Sequence, residues 1–336
     1  MRIVSPRSLA AWLALAGFAF SVAPDALAGT TYSLGEVQAF SLAASTPEVT
    51  AGAAQGEPAR GGEPGLGSDG PTAVDERARA EEALTRSPWA ILPHRPNYIL
   101  PFSYNSSPNN EPYQEVDPGM TGFDNAEAKF QISFKIPVWE RMFGSAADLY
   151  VAYTQISFWQ VYNTEMSSPF RDTNYEPEAV VFLRTDNRIL GFRNRQIAFG
   201  AVHQSNGRGL DALSRSWNRL YVAAVFERGN FACSLKPWWR IPEKEEDDDN
   251  PDIEDYLGYG EFRAAYKRGE NVLSLMLRDN LRTGHNRGAI ELDWSFPLQG
   301  KLKGLVQYFN GYGESLLDYN HANQRIGVGV MLSDVL

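Results

Sequence analysis

One cysteine, Cys233, stands in 336 residues, so no intramolecular disulfide framework holds this chain together. Histidine is scarce too, at four residues, and none lies in a His-Glu-x-x-His pattern. No Gly-x-Ser-x-Gly elbow and no phosphate-cradling glycine loop occur. Positive charge is in deficit: 31 Lys and Arg face 41 Asp and Glu, a net charge of −10. With no basic patch, a nucleic-acid partner is not expected. Beyond the N-terminus there is no stretch of about 18 consecutive apolar residues, so no membrane-spanning helix is expected. A membrane protein without one has to be a closed barrel, because lipid leaves no backbone polar group unsatisfied.

What is present fits that architecture. Met1-Arg2 and Arg7 precede an apolar run from Leu9 to Val22, and Ala26-Leu27-Ala28 follows. Basic, apolar and small-x-small in this order predict a secretory signal over 1–28. Residues 29–90 are rich in Ala, Gly, Pro, Glu and Ser and poor in aromatics. They predict a disordered periplasmic linker, since too little apolar surface is available to offset ordering entropy. Asp75 to Leu84 could form a short helix, though nothing obliges it to.

Residues 91–336 read as one all-β domain. Alternating runs begin near Tyr98, Lys129, Leu149, Glu178, Gln196, Trp217, Phe231, Gly258, Val272, Ala289, Lys303 and Arg325. Twelve such runs with turn-rich gaps predict a twelve-stranded antiparallel transmembrane β-barrel. Tyr153 and Trp159, Trp238 and Trp239, and Tyr308 and Tyr312 lie near strand ends and predict interfacial girdles. A soluble sandwich would alternate in the same way; the signal, the strand count and the aromatics together favour the barrel. Lumen-facing charges at Lys129, Arg193, Arg195 and Arg263 would suit either a pore or a barrel plugged by ion pairs. His94, His285 and His321 read as polar loop residues, and Cys233 as a residue of the wall.

The chemistry-bearing stretch is His203-Gln204-Ser205-Asn206-Gly207-Arg208, followed by Ser214-Arg215-Ser216-Trp217-Asn218-Arg219-Leu220-Tyr221. Period-two alternation puts His203 and Ser205 on one face with Ile197, Phe199 and Ala201. On the next strand Asn218 shares its face with Leu220, Val222, Ala224 and Phe226. A base, a hydroxyl and an amide thus extend two apolar stripes, and a polar trio in a lipid-facing register is expensive. Serine is a weak nucleophile until an adjacent base takes its proton. Histidine performs that role near neutrality, and an asparagine can hold its second ring nitrogen without adding charge.

These residues closely resemble the active-site region of the bacterial outer-membrane phospholipase A family. A second block agrees with it in order: Tyr153-Thr154-Gln155-Ile156-Ser157-Phe158-Trp159-Gln160, then Ser167-Ser168-Pro169-Phe170-Arg171-Asp172-Thr173-Asn174-Tyr175-Glu176-Pro177. The resemblance covers roughly residues 90 to 336. It implies a twelve-stranded barrel, a catalytic triad of Ser205, His203 and Asn218, calcium dependence, and activation by dimerisation. Carried over by motif, the calcium positions are Ser167, the backbone carbonyl of Arg208 and the hydroxyl of Ser214. The Ser205 backbone N–H is implied as an oxyanion donor. The chain departs from the family in the length of the segment between Arg208 and Ser214 and in ending on Leu336 rather than an aromatic. Gln155, alone in the stripe Leu149, Val151, Tyr153, predicts an amide contact across the dimer, and the resemblance places it near the triad asparagine.

If the N-terminus is periplasmic, connections after odd-numbered strands are outside. The segments 206–216 and 163–175 then sit at the outer rim, at the depth of phospholipid ester bonds. Asp172 falls in the second of these. The acidic run Glu245-Glu246-Asp247-Asp248-Asp249 reads as a solvated outer loop rather than a dedicated calcium loop, which would need spaced ligands and a turn glycine. The expected activity is calcium-dependent hydrolysis of phospholipid and lysophospholipid acyl esters, of type A1 or A2, by a homodimer in the outer membrane. The rival from another class is a passive channel or structural barrel with a vestigial triad.

Overall fold

The computed structural model describes residues 72–85, 90–209 and 212–335. Expectations for residues 1–71, the signal and most of the linker, lie outside the described residues.

Twelve antiparallel strands close into a barrel: β1 Asn97–Asn105, β2 Ala126–Trp139, β3 Ala147–Trp159, β4 Phe170–Ile189, β5 Phe192–Ser205, β6 Ser216–Arg228, β7 Phe231–Ile241, β8 Gly260–Arg268, β9 Asn271–Asp279, β10 Gly288–Pro297, β11 Lys303–Tyr312 and β12 Ala322–Ser333. Each strand pairs with its sequence neighbours, and β12 pairs back onto β1. A two-residue extension, Leu92–Pro93, adds to β2. Closure removes every sheet edge, as a lipid environment demands. No helix among the described residues is long and apolar enough to cross a membrane.

The alternation is visible in exposure. Ile326, Val328 and Leu332 of β12 are exposed on the wall, while Asn323, Arg325 and Met331 point inward and are buried. At the closing seam, Gly329 lies at a register shift between β12 and β1. A Cβ there would come within 2.0 Å of the Ile99 carbonyl oxygen, so only glycine lets the two backbones meet. The β4–β5 hairpin turns on Leu190 and Gly191, both at positive φ, the two-residue geometry that matches strand twist.

Eleven of the twelve predicted strands begin within a few residues of their observed start. The fourth does not: β4 starts at Phe170, inside the segment read as an outer loop. Its Arg-Asp-Thr-Asn composition resembles a turn, but Arg171, Asp172 and Asn174 are buried and face the lumen. The lumen is polar, so polar residues are what an inward register requires there. The aromatic reading also needs one correction. Trp239 is exposed, but Trp238 is buried and packs edge-on against Trp217 at 6.2 Å between ring centroids.

A chain of ion pairs runs through the barrel interior. Arg171 lies 3.1 Å from Glu127, Glu127 lies 2.7 Å from Arg325, Arg325 lies 2.8 Å from Glu314, and Glu314 lies 3.1 Å from Lys129. Asp318 adds a 2.6 Å contact to Arg171. All of these side chains are buried, and each charge has partners to offset its desolvation. Glu314 and Asp318 belong to the β11–β12 connection, which folds inward and is bonded by Asn174 and Asp172 through the Leu316 and Leu317 N–H groups. His94 sits in the loop between Leu92–Pro93 and β1, as read from the sequence, and its ring turns inward to lie 2.7 Å from Glu178.

Helix α1 (Ala73–Thr85) is the described part of the block read as a linker. Thr72 and Asp75 cap it reciprocally: each backbone N–H donates to the other side chain, at 3.2 and 3.1 Å. The helix lies at the end of the barrel where β12 finishes. Asp75 pairs with Arg195 at 2.5 Å, Glu81 with Lys135 at 2.7 Å, and Arg77 donates to the Asp334 and Val335 carbonyls. The sequence left this helix optional; contacts with the barrel wall, remote in sequence, hold it.

Candidate active site

The β5–β6 ladder sets His203 directly opposite Asn218 and Ser205 opposite Ser216. On this face Phe199 and Leu220 are exposed, so the predicted outward register is the observed one. His203 Nδ1 lies 2.9 Å from Asn218 Oδ1. Ser205 is two residues along the same face, roughly 6.6 Å further by strand rise. Its hydroxyl is not hydrogen-bonded to His203 in the free chain; such contacts often tighten only when substrate binds.

Behind the site the inner face locks the same two strands. Gln204 Oε1 accepts from Trp217 Nε1 at 2.8 Å and from Arg219 at 2.9 Å. The Arg219 guanidinium also stacks on the Trp217 ring, 3.9 Å from its centroid. Trp217 belongs to a buried cluster with Val202, Tyr221, Trp238, Ile253 and Leu257. The short helix α3 (Glu254–Leu257) contributes Leu257 to this cluster from the β7–β8 connection, following α2 (Glu111–Val116) in the β1–β2 connection. A rigid inner layer thus fixes the strand register, and the register fixes the His203–Asn218 pair.

Two contacts of this site had not been read from the sequence. Asn218 Nδ2 donates to Glu243 Oε1 at 3.0 Å. Ser214 Oγ donates to Asp249 Oδ2 at 2.8 Å. Both carboxylates come from the β7–β8 connection, read as a merely solvated loop. A signal for the first existed: Asn218 faces Ile241 across β6–β7, and period two carries that face on to Glu243.

The other expected residues are placed as follows. The Arg208 guanidinium lies over the Tyr113 ring at 5.4 Å and donates to the Arg171 carbonyl. Ser167 and Ser168 occupy the tight 160–169 connection, both at positive φ. No hydrogen bond joins Ser167 to Arg208 or Ser214. Gln155 is bonded within its own strand, to Tyr153 Oη and Ser157 Oγ at 3.0 Å each, and not to Asn218. Asp172 is buried inside the barrel rather than at the rim. Among the described residues no cluster of three or more His, Cys, Asp or Glu could hold a metal ion. At Ser214 the hydroxyl and the Asp249 carboxylate are oxygen donors of the kind a hard cation such as calcium takes.

The model of a family described as phospholipase A1 matches residues 74–332. The chain belongs to the phospholipase A1 family. Phospholipase A1 of Escherichia coli strain K12 is 41% identical over 252 residues, covering 74% of this chain and 83% of that protein. The structure of outer membrane phospholipase A from Escherichia coli matches with a TM-score of 0.69 at 39% identity, over 74% of this chain and all of that one. A Salmonella typhi outer membrane phospholipase, solved as a dimer with bound calcium, matches with the same TM-score at 40% identity, over 74% and 94% of the two chains. Family membership bears out the resemblance drawn from the two sequence blocks, and this phospholipase is a barrel of the outer-membrane type.

Proposed function

We propose that this phospholipase hydrolyses the acyl esters of membrane phospholipids with a Ser205-His203-Asn218 triad on the outer wall of the barrel. The observation that carries the reading is the 2.9 Å contact between His203 Nδ1 and Asn218 Oδ1 on a lipid-facing register. With Nδ1 protonated and held by Asn218, His203 Nε2 is left as the base. Ser205 Oγ attacks the acyl carbonyl while Nε2 takes its proton. The same nitrogen returns the proton to the leaving lysolipid oxygen, and water then releases the fatty acid by the reverse sequence. The Ser205 N–H is the proposed donor to the oxyanion. The acyl chains lie along the apolar stripes that continue from the triad.

Ser214, the Arg208 carbonyl and Ser167 would hold calcium, with Asp249 beside Ser214. When bound, calcium would supply positive charge near the developing oxyanion. The Salmonella typhi relative is a calcium-bound dimer, which supports both calcium and a homodimer here. A second barrel would complete the site and the acyl groove, with Gln155 in the interface. We assign the triad to the outer-leaflet side, since its loops lie at the end of the barrel opposite the start of β1 and the end of β12.

The test is release of fatty acid from phospholipid micelles by the purified protein, with calcium and with chelator, beside ion conductance in a planar bilayer. Calcium-dependent release without steady conductance is expected. Conductance without any release would assign the chain to the channel class instead.

A further inference from the structure

The triad as read contains no negative charge, and an asparagine amide has two chemically different ends that a histidine can meet. Something has to turn Oδ1, not Nδ2, toward His203. We propose that Glu243, in the connection after β7, is the positioning residue that sets this orientation, by accepting a hydrogen bond from Asn218 Nδ2.

The inference rests on the triad reading and extends it by one residue. An ionised carboxylate can only accept. With Glu243 Oε1 3.0 Å from Nδ2, the amide N–H is committed to it and Oδ1 faces His203. Oδ1 in turn can only accept, so His203 carries its proton on Nδ1 and keeps Nε2 free for Ser205. The chain Glu243–Asn218–His203 therefore fixes both an amide orientation and a tautomer. It also puts a carboxylate one residue behind an imidazole that becomes positive during the reaction, which a bare asparagine does not provide.

The surroundings leave Glu243 for this role. Arg240, at the end of β7, is committed to Asp248 at 2.5 Å and to the Pro251 carbonyl at 3.2 Å, and Lys244 lies 3.6 Å from Glu246. The charged groups that act on Glu243 are Arg240, Asp248 and His203. Partial burial pushes the Glu243 carboxyl above the ordinary glutamate range, and the Asn218 hydrogen bond draws it back. An ordinary solvated loop carboxylate would gain nothing from that burial.

The experiment compares the full-length protein with its Glu243→Gln, Glu243→Asp and Glu243→Ala variants, first at calcium that saturates the parent protein and then at higher calcium. kcat and KM on phospholipid micelles are followed between about pH 5 and 9, the range over which an imidazole changes charge. Glu243→Gln keeps the shape but can also donate, and it lacks the charge. Its kcat should fall by roughly threefold to tenfold with KM unchanged, the scale of one ordinary hydrogen bond. The acid limb of its kcat profile should move to lower pH, because the anion that favours a positively charged base has been removed. Glu243→Ala should lose more, and Glu243→Asp should recover part of the loss. A wild-type kcat and an unmoved acid limb in the Gln variant would overturn the proposal. So would a loss that extra calcium restores, since the effect would then belong to the Ser214–Asp249 side. Ser205→Ala, run alongside, separates the two ideas: full activity there removes the triad itself, whatever Glu243 does.

Discussion

Asn218 Oδ1 stands 2.9 Å from His203 Nδ1 because the two residues face each other across one rung of the β5–β6 ladder. A pair made by register moves only if the sheet moves, so local substitutions at the site should affect chemistry without unfolding the barrel.

Ser205→Ala is expected to cut hydrolysis by at least about a thousandfold, as for loss of a triad nucleophile. The hydroxyl bears little fold energy, so the variant should still migrate as a folded, heat-modifiable barrel. Labelling by a sulfonyl fluoride, read by mass spectrometry, should occur at Ser205 in the parent and vanish in the variant. Retained turnover with the label lost would remove Ser205 as nucleophile.

His203→Ala and Asn218→Ala should differ. Loss of the base should cost several orders of magnitude, whereas loss of a neutral orienting amide should cost distinctly less. Single-turnover rates on one lipid decide it. Equal, near-total loss with the fold intact would mean that Asn218 does more than orient.

Chelation should stop hydrolysis and leave the barrel folded, because closed-barrel hydrogen bonding does not depend on calcium. Added calcium should shift protein in detergent towards dimer, by linkage, if the dimer binds it better. Ser214→Ala and Ser167→Ala should raise the calcium requirement, and Gln155→Ala should weaken the shift to dimer. Sedimentation and activity over one calcium titration check all three, and full activity from a chelated monomer contradicts them.

Glu127→Ala tests the lumen. Glu127 is 1% exposed and lies 3.1 Å from Arg171 and 2.7 Å from Arg325. Removing it leaves two buried guanidinium groups short of a counter-charge, a cost of about 3–5 kcal/mol. Denaturant unfolding in detergent should show that loss, and Glu127→Gln should soften it by keeping one of the two acceptor oxygens. Unchanged stability in both would mean that water, not pairing, solvates this network.

Period-two alternation gave the strands, their number and the face that carries His203, Ser205 and Asn218; choosing a barrel over a sandwich also took the N-terminal signal pattern and the aromatics. Lipid outside and polar residues inside impose one pattern on every strand, and that pattern is written locally. Ile326, Val328 and Leu332 announce the wall without reference to any other strand. His203, Ser205 and Asn218 stood out because they interrupt apolar stripes and because the stretch around them resembles the family's active-site region; the ladder sets His203 opposite Asn218. The start of β4 was not legible, since Arg171, Asp172 and Asn174 read as a turn until their lumen partners Glu127, Asp318 and Leu316 are in place. Nor was α1 decided by its own sequence: Asp75, Arg77 and Glu81 need Arg195, the C-terminal carbonyls and Lys135 to hold them. Glu243 and Asp249 looked like surplus charge in a loop. Only closure of β6 against β7 brings one to Asn218 and the other to Ser214, because a hydrogen bond depends on distances of about 3 Å between groups that the sequence keeps 25 and 35 residues apart.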